Sequence, residues 1–562
     1  MRLLWADAPA CRATRTTDGS ETRMRLPAFL RTLLTATAAG ALLVTVAVSL
    51  PTAGATPPSP AGPPTGPPAG GPPVASCESL LALDLPDTTV DSAVEDPGDA
   101  TTPPSCRVQL TVTHPPAGDA VTVWVHLPRD SWNGRFQAMG GGGFSGGSPD
   151  SLLEPLQAGY ATAATDAGHV GPTADFALDP DGTLNWQRIR DFGHVGVHDM
   201  TVTAKAVIEA YYGRGPAYSY WNGCSTGGRQ GLMEAQRYPD DYDGVLAGAP
   251  VINFPQMQTG QIWGQVVMLD RQNPVPPCKF EAALAAVVSA CDLVGDGVAD
   301  GVIGDPLGCD FDLTTLIGQQ TPCGEITAAD VEVMQRIGEG PRTAEGEFLW
   351  YGLPPGAPFA GLNDTVEVDG RWEGSPFVFD LWWISLFLEQ DPSWDWRTLT
   401  PEAFEAYFAQ AVEMYSDVLG ADDPDLSAFR DQGGKALLWH GAADFGVPVQ
   451  GTIDYYERVR DLMGRGQTQD FLRLFVAPGV GHCGGGAGLQ PTGQFEALVE
   501  WVEHGRAPQT LQSQRVDDAG TVTATRPICQ YPEVARWTGR GDPDDGSTYR
   551  CRKGTRLEVP AR

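Results

Sequence analysis

The segment Gly223-Cys224-Ser225-Thr226-Gly227 constrains this chain more than any other. Its flanking glycines permit a tight strand-to-helix turn that holds a serine exposed in a strained conformation. The context on both sides agrees. Tyr218-Ser219-Tyr220-Trp221 is rich in strand formers, and Gly228 to Tyr238 reads as a helix carrying Leu232, Met233 and Ala235. The pentapeptide alone also occurs in ordinary glycine-rich turns, so the entering strand and leaving helix separate the two readings.

Short β-type runs, Ala120 to Val125 and Tyr160 to Ala164, alternate with a helical pattern from Asp199 to Tyr212. That alternation predicts a mostly parallel sheet covered by helices. The sheet resumes late, with the strand-like run Ala436-Leu437-Leu438-Trp439, a helical Thr452 to Leu462 and another strand, Phe471 to Val476. The first of these strands leads into His440-Gly441-Ala442-Ala443-Asp444, the second into Pro478-Gly479-Val480-Gly481-His482-Cys483. A carboxylate and an imidazole thus stand in successive strand-end loops. A serine hydroxyl needs a base to take its proton, and the base needs an acid to fix its tautomer and stabilise its cation. Ser225, Asp444 and His482 are the candidate triad, and the chain order Ser, Asp, His is that of the α/β-hydrolases. Ser225 and Asp444 lie 219 positions apart, which leaves room for an inserted domain. Residues 254–426, rich in Trp, Asp, Pro and Gly, read as a lid, and 77–253 with 427–562 as the catalytic α/β-hydrolase domain.

The oxyanion hole would use the N–H of Thr226 and one from Gly140-Gly141-Gly142-Gly143, with Gly142 and Gly143 the candidates. His440 reads as structural, His194 and His198 stand at the start of a helix, and His169 is a candidate to line the pocket. Cys224 precedes the nucleophile and Cys483 follows the base. If Ser225 and His482 meet, their neighbours come close enough for a disulfide.

Such a bridge needs an oxidising compartment. Met24-Arg25 and Arg31, the apolar stretch Leu33 to Leu50 and the small residues Ala53-Gly54-Ala55 form an export signal over residues 1–55, with Met24 the expected start. A retained anchor is the alternative, but Gly40 and several threonines dilute the apolar run. Residues 56–76 read as a Pro/Gly-rich linker. Cleavage removes six Arg and three acidic residues, taking the net charge from -33 to -36. So acidic a protein repels nucleic acid and anionic membrane faces, and a secreted monomer or small homo-oligomer is expected. Of the 11 cysteines, Cys11 lies in the signal and the other ten suffice for five bridges.

Four segments together resemble the tannase and feruloyl esterase family, which includes bacterial hydrolases of mono(hydroxyethyl) terephthalate. They are Gly159 to His169, Gly-Cys-Ser-Thr-Gly-Gly-Arg-Gln from Gly223, His-Gly-Ala-Ala-Asp ending at Asp444, and Pro-Gly-Val-Gly-His-Cys ending at Cys483. The likeness runs from about Cys77 to Cys551. It implies the same triad and bridge, a lid over the site, and hydrolysis of hydroxycinnamic, gallic or terephthalic esters, as small aromatic esters or in plant polymers. It also favours the pairs Cys77–Cys106, Cys291–Cys309 and Cys529–Cys551, which leaves Cys278 with Cys323 by elimination. The stretch Cys291 to Ile303 resembles the family's lid calcium loop. Its closely spaced Asp and Gly suit a hard cation wanting carboxylate and backbone oxygens. The implied ligands are Asp292, Asp296 and Asp300 with the carbonyls of Val298 and Val302. One extra residue between Asp292 and Asp296 departs from the pattern, and the spacing is not that of an EF-hand. Lid tryptophans (Trp263, Trp372, Trp382, Trp383, Trp394, Trp396) are candidates to stack on an aromatic acyl group, although most tryptophans are core. The alternative function is an extracellular binding module on an inactive hydrolase scaffold.

Overall fold

Nine strands form the central sheet: β1 (Thr88–Asp96), β2 (Ser105–Val112), β3 (Val121–Pro128), β4 (Arg135–Met139), β5 (Ala161–Thr165), β6 (Tyr218–Cys224), β7 (Gly244–Gly248), β8 (Lys435–Gly441) and β9 (Leu472–Ala477). The structure is a computed structural model and describes residues 70–559. The expected export signal, and the linker as far as residue 69, lie outside that range. Strand order is β1-β2-β3-β5-β4-β6-β7-β8-β9. The pairs β1/β2, β2/β3 and β3/β5 are antiparallel, and every pair from β5/β4 to β8/β9 is parallel.

Side-chain pattern follows position in the sheet. On β3, toward the edge, buried residues alternate with half-buried ones over most of the strand, whereas β5 and β7, in the middle of the sheet, are buried at every position, as strands covered on both faces are. Helices α1 (Gly196–Tyr212), α2 (Thr226–Arg237) and α3 (Val449–Met463) share one core cluster with Val123, Leu438 and Leu474. The opposite face packs Leu246, Leu437 and Phe475 against Leu498 of α4 (Gln494–His504). Neighbouring Leu437 and Leu438 thus serve opposite faces, as the two-residue period requires.

Helix α1 starts earlier than the expected Asp199. It continues without a break from a short helix, Trp186–Arg190, and a π turn, Asp191–Val195. Gly193 masks that continuity in the sequence. The space a Cβ would fill there holds the Val418 carbonyl oxygen at 2.4 Å, so a tertiary contact overrides local propensity.

After Gly248 the chain leaves the sheet until Lys435. The intervening residues form helices such as Pro277–Cys291, Ala328–Glu339 and Pro401–Leu419 with short hairpins between them. Their apolar faces share one cluster with Phe144, Phe176 and Phe192, so the insertion packs on loops that leave the sheet. Beyond α4, Thr510–Val516, Val522–Cys529, Glu533–Trp537 and Tyr549–Lys553 build two small separate sheets. Disulfides join Cys77–Cys106, Cys224–Cys483, Cys278–Cys323, Cys291–Cys309 and Cys529–Cys551. Among the described residues no helix is long and apolar enough to cross a membrane.

One ion pair ties α4 to the sheet. Arg135 Nε and Nη2 donate to the two carboxylate oxygens of Glu503 at 2.6 Å each, and Tyr220 OH donates to Oε1 at 2.8 Å. The Glu503 side chain is 3% exposed and that of Arg135 16%. Removing one partner of such a pair leaves the other charge buried and alone. Glu503→Ala is expected to cost about 3–5 kcal/mol, read as a lower urea midpoint. A midpoint unchanged from wild type would show that solvent reaches Arg135.

Candidate active site

Ser225 stands between the last residue of β6 and the first of α2 with φ 62° and ψ -123°, a region that non-glycine residues enter only under strain. The surrounding glycines are required by close approach. A Cβ on Gly223 would lie 2.5 Å from backbone atoms of Gly227, and one on Gly228 2.6 Å from Gly248 O. The Ser225 N–H donates to Gly248 O at 2.9 Å, which pins the turn to the neighbouring strand.

Asp444, fully buried, follows β8. Its Oδ1 accepts the N–H groups of Gly446 and Val447 at 2.9 Å each, and its Oδ2 lies 2.6 Å from His482 Nδ1. Burial works against the charge of Asp444, but the donors His440 and His482 outweigh it and hold the carboxyl below the usual carboxylate range. The two strand-end loops are zipped together: Ala442 N–H donates to Ala477 O at 2.8 Å and Ala443 N–H to Val480 O at 2.9 Å. The Cys224–Cys483 disulfide, Cα–Cα 6.0 Å, joins the neighbours of Ser225 and His482. Acid and imidazole are thus in contact, and the serine is tied covalently to the imidazole loop. In that arrangement the carboxylate holds one ring nitrogen of His482 and so fixes the orientation of the imidazole.

In the glycine run, two N–H groups are already committed, Gly140 to Asn222 O at 3.0 Å and Gly141 to Gln230 Oε1 at 3.0 Å. Gly142 and Gly143 therefore stay as the candidate donors beside Thr226, whose hydroxyl donates to Gly143 O at 2.6 Å. Gly143 has φ 59°, and the Phe379 ring lies 2.7 Å from where a Cβ would stand. Phe379 brings the insertion onto this loop, and the sequence carried no signal for it. His169 is half-buried, stacked on Phe176 at 3.9 Å, with Nε2 at 2.5 Å from Phe144 O, so it braces the glycine loop. His194 meets Tyr238 OH at 2.8 Å and His198 meets Asp241 at 2.7 Å. Trp263 and Trp383 are buried, and their indole N–H groups donate to Arg336 O and Thr259 Oγ1 at 2.9 Å each. Those two are core.

A family model described as tannase and feruloyl esterase matches residues 106–552. The chain belongs to that family. It is 43% identical over 463 residues to a probable feruloyl esterase of Arthroderma benhamiae, covering 80% of this chain and 86% of the relative. It is 31% identical over 489 residues to a mono(2-hydroxyethyl) terephthalate hydrolase of Piscinibacter sakaiensis, covering 75% and 79%. Its fold superposes on the tannin acyl hydrolase from Aspergillus niger with TM-score 0.75 at 26% identity, covering 84% and 92%. This member of the tannase and feruloyl esterase family is a carboxylic ester hydrolase of α/β-hydrolase fold.

A cavity of about 390 Å³ opens beside His482 in the esterase, walled by Leu284, Val302, Ile303, Pro358, Phe445 and Gly479 among others. Among the described residues that line it, His482 is the one ionisable group. Val302 and Ile303 belong to the acidic loop, so that loop forms a wall of the cavity. A Cβ on Gly479, in the His482 loop, would meet Val302 Cγ1 at 2.8 Å. Within the loop, Asp292 Oδ1 accepts the N–H groups of Asp300 and Gly301 at 3.1 and 2.8 Å. Asp296 and Asp300 converge on one cationic nitrogen, Arg526 Nη1, at 3.2 and 2.6 Å. Two carboxylates face one guanidinium, and burial pushes Asp296 up to about 6. Carboxylate oxygens of this kind suit a hard cation, and Arg526 is the cation that Asp296 and Asp300 meet in this structure.

The bridge closes a segment of 259 residues, for which chain entropy gives on the order of 5 kcal/mol as an upper figure. A displacement of about 1 Å at reacting groups costs on the order of a hundredfold in rate. The double variant Cys224→Ala, Cys483→Ala should therefore keep most of its circular dichroism while turnover falls at least tenfold further. Equal proportional losses of structure and turnover would reduce the bridge to a staple.

Proposed function

We propose that this esterase, exported from the cell, hydrolyses esters of aromatic acids through an acyl-enzyme on Ser225. The contact of 2.6 Å between His482 Nδ1 and Asp444 Oδ2 carries the reading, because it presents the other imidazole nitrogen as a base on a loop bonded to the nucleophile turn. Ser225 Oγ attacks the ester carbonyl and its proton passes to His482. The tetrahedral oxyanion takes hydrogen bonds from the N–H groups of Thr226 and of Gly142 or Gly143. Collapse breaks the ester C–O bond, and His482 gives its proton to the departing alkoxide. Water, deprotonated by His482, then attacks the acyl carbonyl and frees the acid, returning the proton to Ser225. Asp444 stays ionised and stabilises the imidazolium.

Similarity to proteins named feruloyl esterase, tannin acyl hydrolase and terephthalate hydrolase supports aromatic-acid esters as substrates. The cavity beside His482 favours neutral ones, since its described lining residues are apolar apart from His482 and include no lysine or arginine. The five disulfides among the described residues suit an oxidising exterior. We assign Ca2+ to Asp292, Asp296 and Asp300 with the carbonyls of Val298 and Val302. When bound, the ion neutralises the acids and stiffens the loop against the histidine loop.

Ser225→Ala should lose about 10⁴-fold or more in kcat, and a phosphonate probe should label wild type at Ser225 alone. Unlabelled Ser225 in folded protein would favour a binding module on an inactive scaffold. On a panel of methyl ferulate, methyl gallate and a terephthalate monoester, kcat/KM should be at least about tenfold higher for a neutral methyl ester than for the charged monoester. The reverse order would place a cationic subsite elsewhere.

Calcium removal, verified by metal analysis, should lower Tm by roughly 5 °C and raise KM, because the loop walls the cavity. Bound calcium absent from purified protein, with Tm indifferent to chelator, would dispose of the assignment.

A further inference from the structure

His440 has no part in the scheme above and was expected to be merely structural, yet it is fully buried against the triad acid. Its Nε2 lies 2.9 Å from Val447 O and 3.2 Å from Asp444 Oδ2. A carbonyl oxygen can only accept, so Nε2 carries the proton and shares it between the two oxygens. On the other side Nδ1 lies 2.9 Å from Thr452 Oγ1 of α3, within hydrogen-bond reach of the hydroxyl. Both nitrogens are thus engaged and the ring cannot turn without losing a partner.

Asp444 is then held at four points. Two backbone N–H groups hold Oδ1, while His482 and His440 share Oδ2. The titratable groups acting on Asp444 are these two imidazoles, one from its own strand end and one from the loop after β9. In a site closed to water, an oxygen missing one donor finds no replacement.

We propose that His440 is a positioning residue for the triad: its Nε2–H fixes the Asp444 carboxylate so that Oδ2 faces His482 Nδ1, and it tempers the negative charge felt by that ring. The inference rests on the triad reading of the previous subsection. It separates His440 from a packing role because two of its contacts, Asp444 and Thr452, link the acid to α3 through a defined tautomer. Loss of the donor leaves the carboxylate less stabilised, so it favours the His482 imidazolium more strongly, and His482 keeps its proton to higher pH.

The test is His440→Leu and His440→Gln, with active sites counted by phosphonate titration. Leucine should lower kcat per titrated site by about 10–100-fold with KM within about twofold. It should also move the acid limb of the pH profile of kcat/KM upward by about half a unit. Glutamine, which keeps a side-chain N–H donor of similar reach, should recover most of both changes. A purely structural role lowers the number of active sites and leaves the limb in place. Should the leucine variant fail to fold, His440→Asn takes its place, since its amide is too short to reach Asp444, and the same readouts decide. A folded variant with wild-type kcat and acid limb, or glutamine no better than leucine, overturns the proposal. His482→Ala is the control: if it kills activity while His440→Leu changes nothing, only the positioning role falls, whereas an active His482→Ala enzyme removes the triad itself.

Discussion

Everything at the site depends on the register in which four parallel strands are paired. Cys224 of β6 lies beside Gly248 of β7, Gly248 beside Trp439 of β8, and Gly441 of β8 beside Ala477 of β9. The carboxyl ends of these strands therefore fall on one line, and the residues that follow them leave the sheet at one edge. Ser225, Asp444 and His482 follow the ends of β6, β8 and β9. Slipping one strand by a residue would turn its side chains to the other face and would send Asp444 away from His482. Main-chain hydrogen bonding thus sets a side-chain constellation assembled across 257 positions of sequence.

That edge carries an electrostatic liability, and the local structure is shaped to meet it. A buried carboxylate is costly unless its lone pairs are filled. At Asp444 the turn after β8 folds back so that two successive N–H groups reach Oδ1, and two imidazoles reach Oδ2. The strain at Ser225 belongs with this. A serine at φ 62° persists because β6, α2 and the Gly248 carbonyl determine its backbone from three sides, and the disulfide at Cys224 fixes a fourth. Rigidity in the strands is what permits an unfavourable conformation in the turn.

What could be read from sequence was whatever local chemistry imposes. A strand running into G-x-S-x-G and out into a helix has few other uses, and a histidine loop ending in cysteine invites comparison with a serine turn preceded by one. Contacts made between distant segments were not legible. Phe379 over Gly143, Phe445 in the cavity wall and Arg526 between Asp296 and Asp300 are set by how the insertion and the C-terminal sheets pack, and no periodicity or spacing encodes that. The contact of His440 with the acid was not legible for a related reason. Four residues before an acid in a turn, that residue gives no hint that the turn closes tightly enough to bring Nε2 to the same oxygen that His482 uses. The early start of α1 escaped because Gly193 suits the Val418 carbonyl rather than the helix.

The insertion and the C-terminal strands therefore do more than cover the sheet. Arg526, on a strand beyond α4, reaches the acidic loop of the insertion. That loop places Val302 against Gly479 and lines the cavity at His482. Three chain regions far apart in sequence meet within one contact network. A charge change at Asp296 or Asp300 is felt first by Arg526 and by the backbone N–H groups of Val298 and Val302 that these acids accept. It reaches His482 through the packing of Val302 on the histidine loop. A valine side chain in close contact transmits displacement, since a packed interior has no free volume to absorb it. The sheet edge that carries Ser225, Asp444 and His482 and the acidic loop are for that reason in packing contact through Val302 and Gly479, although Asp296 and Asp300 make no hydrogen bond or ion pair to Ser225, Asp444 or His482 among the described residues.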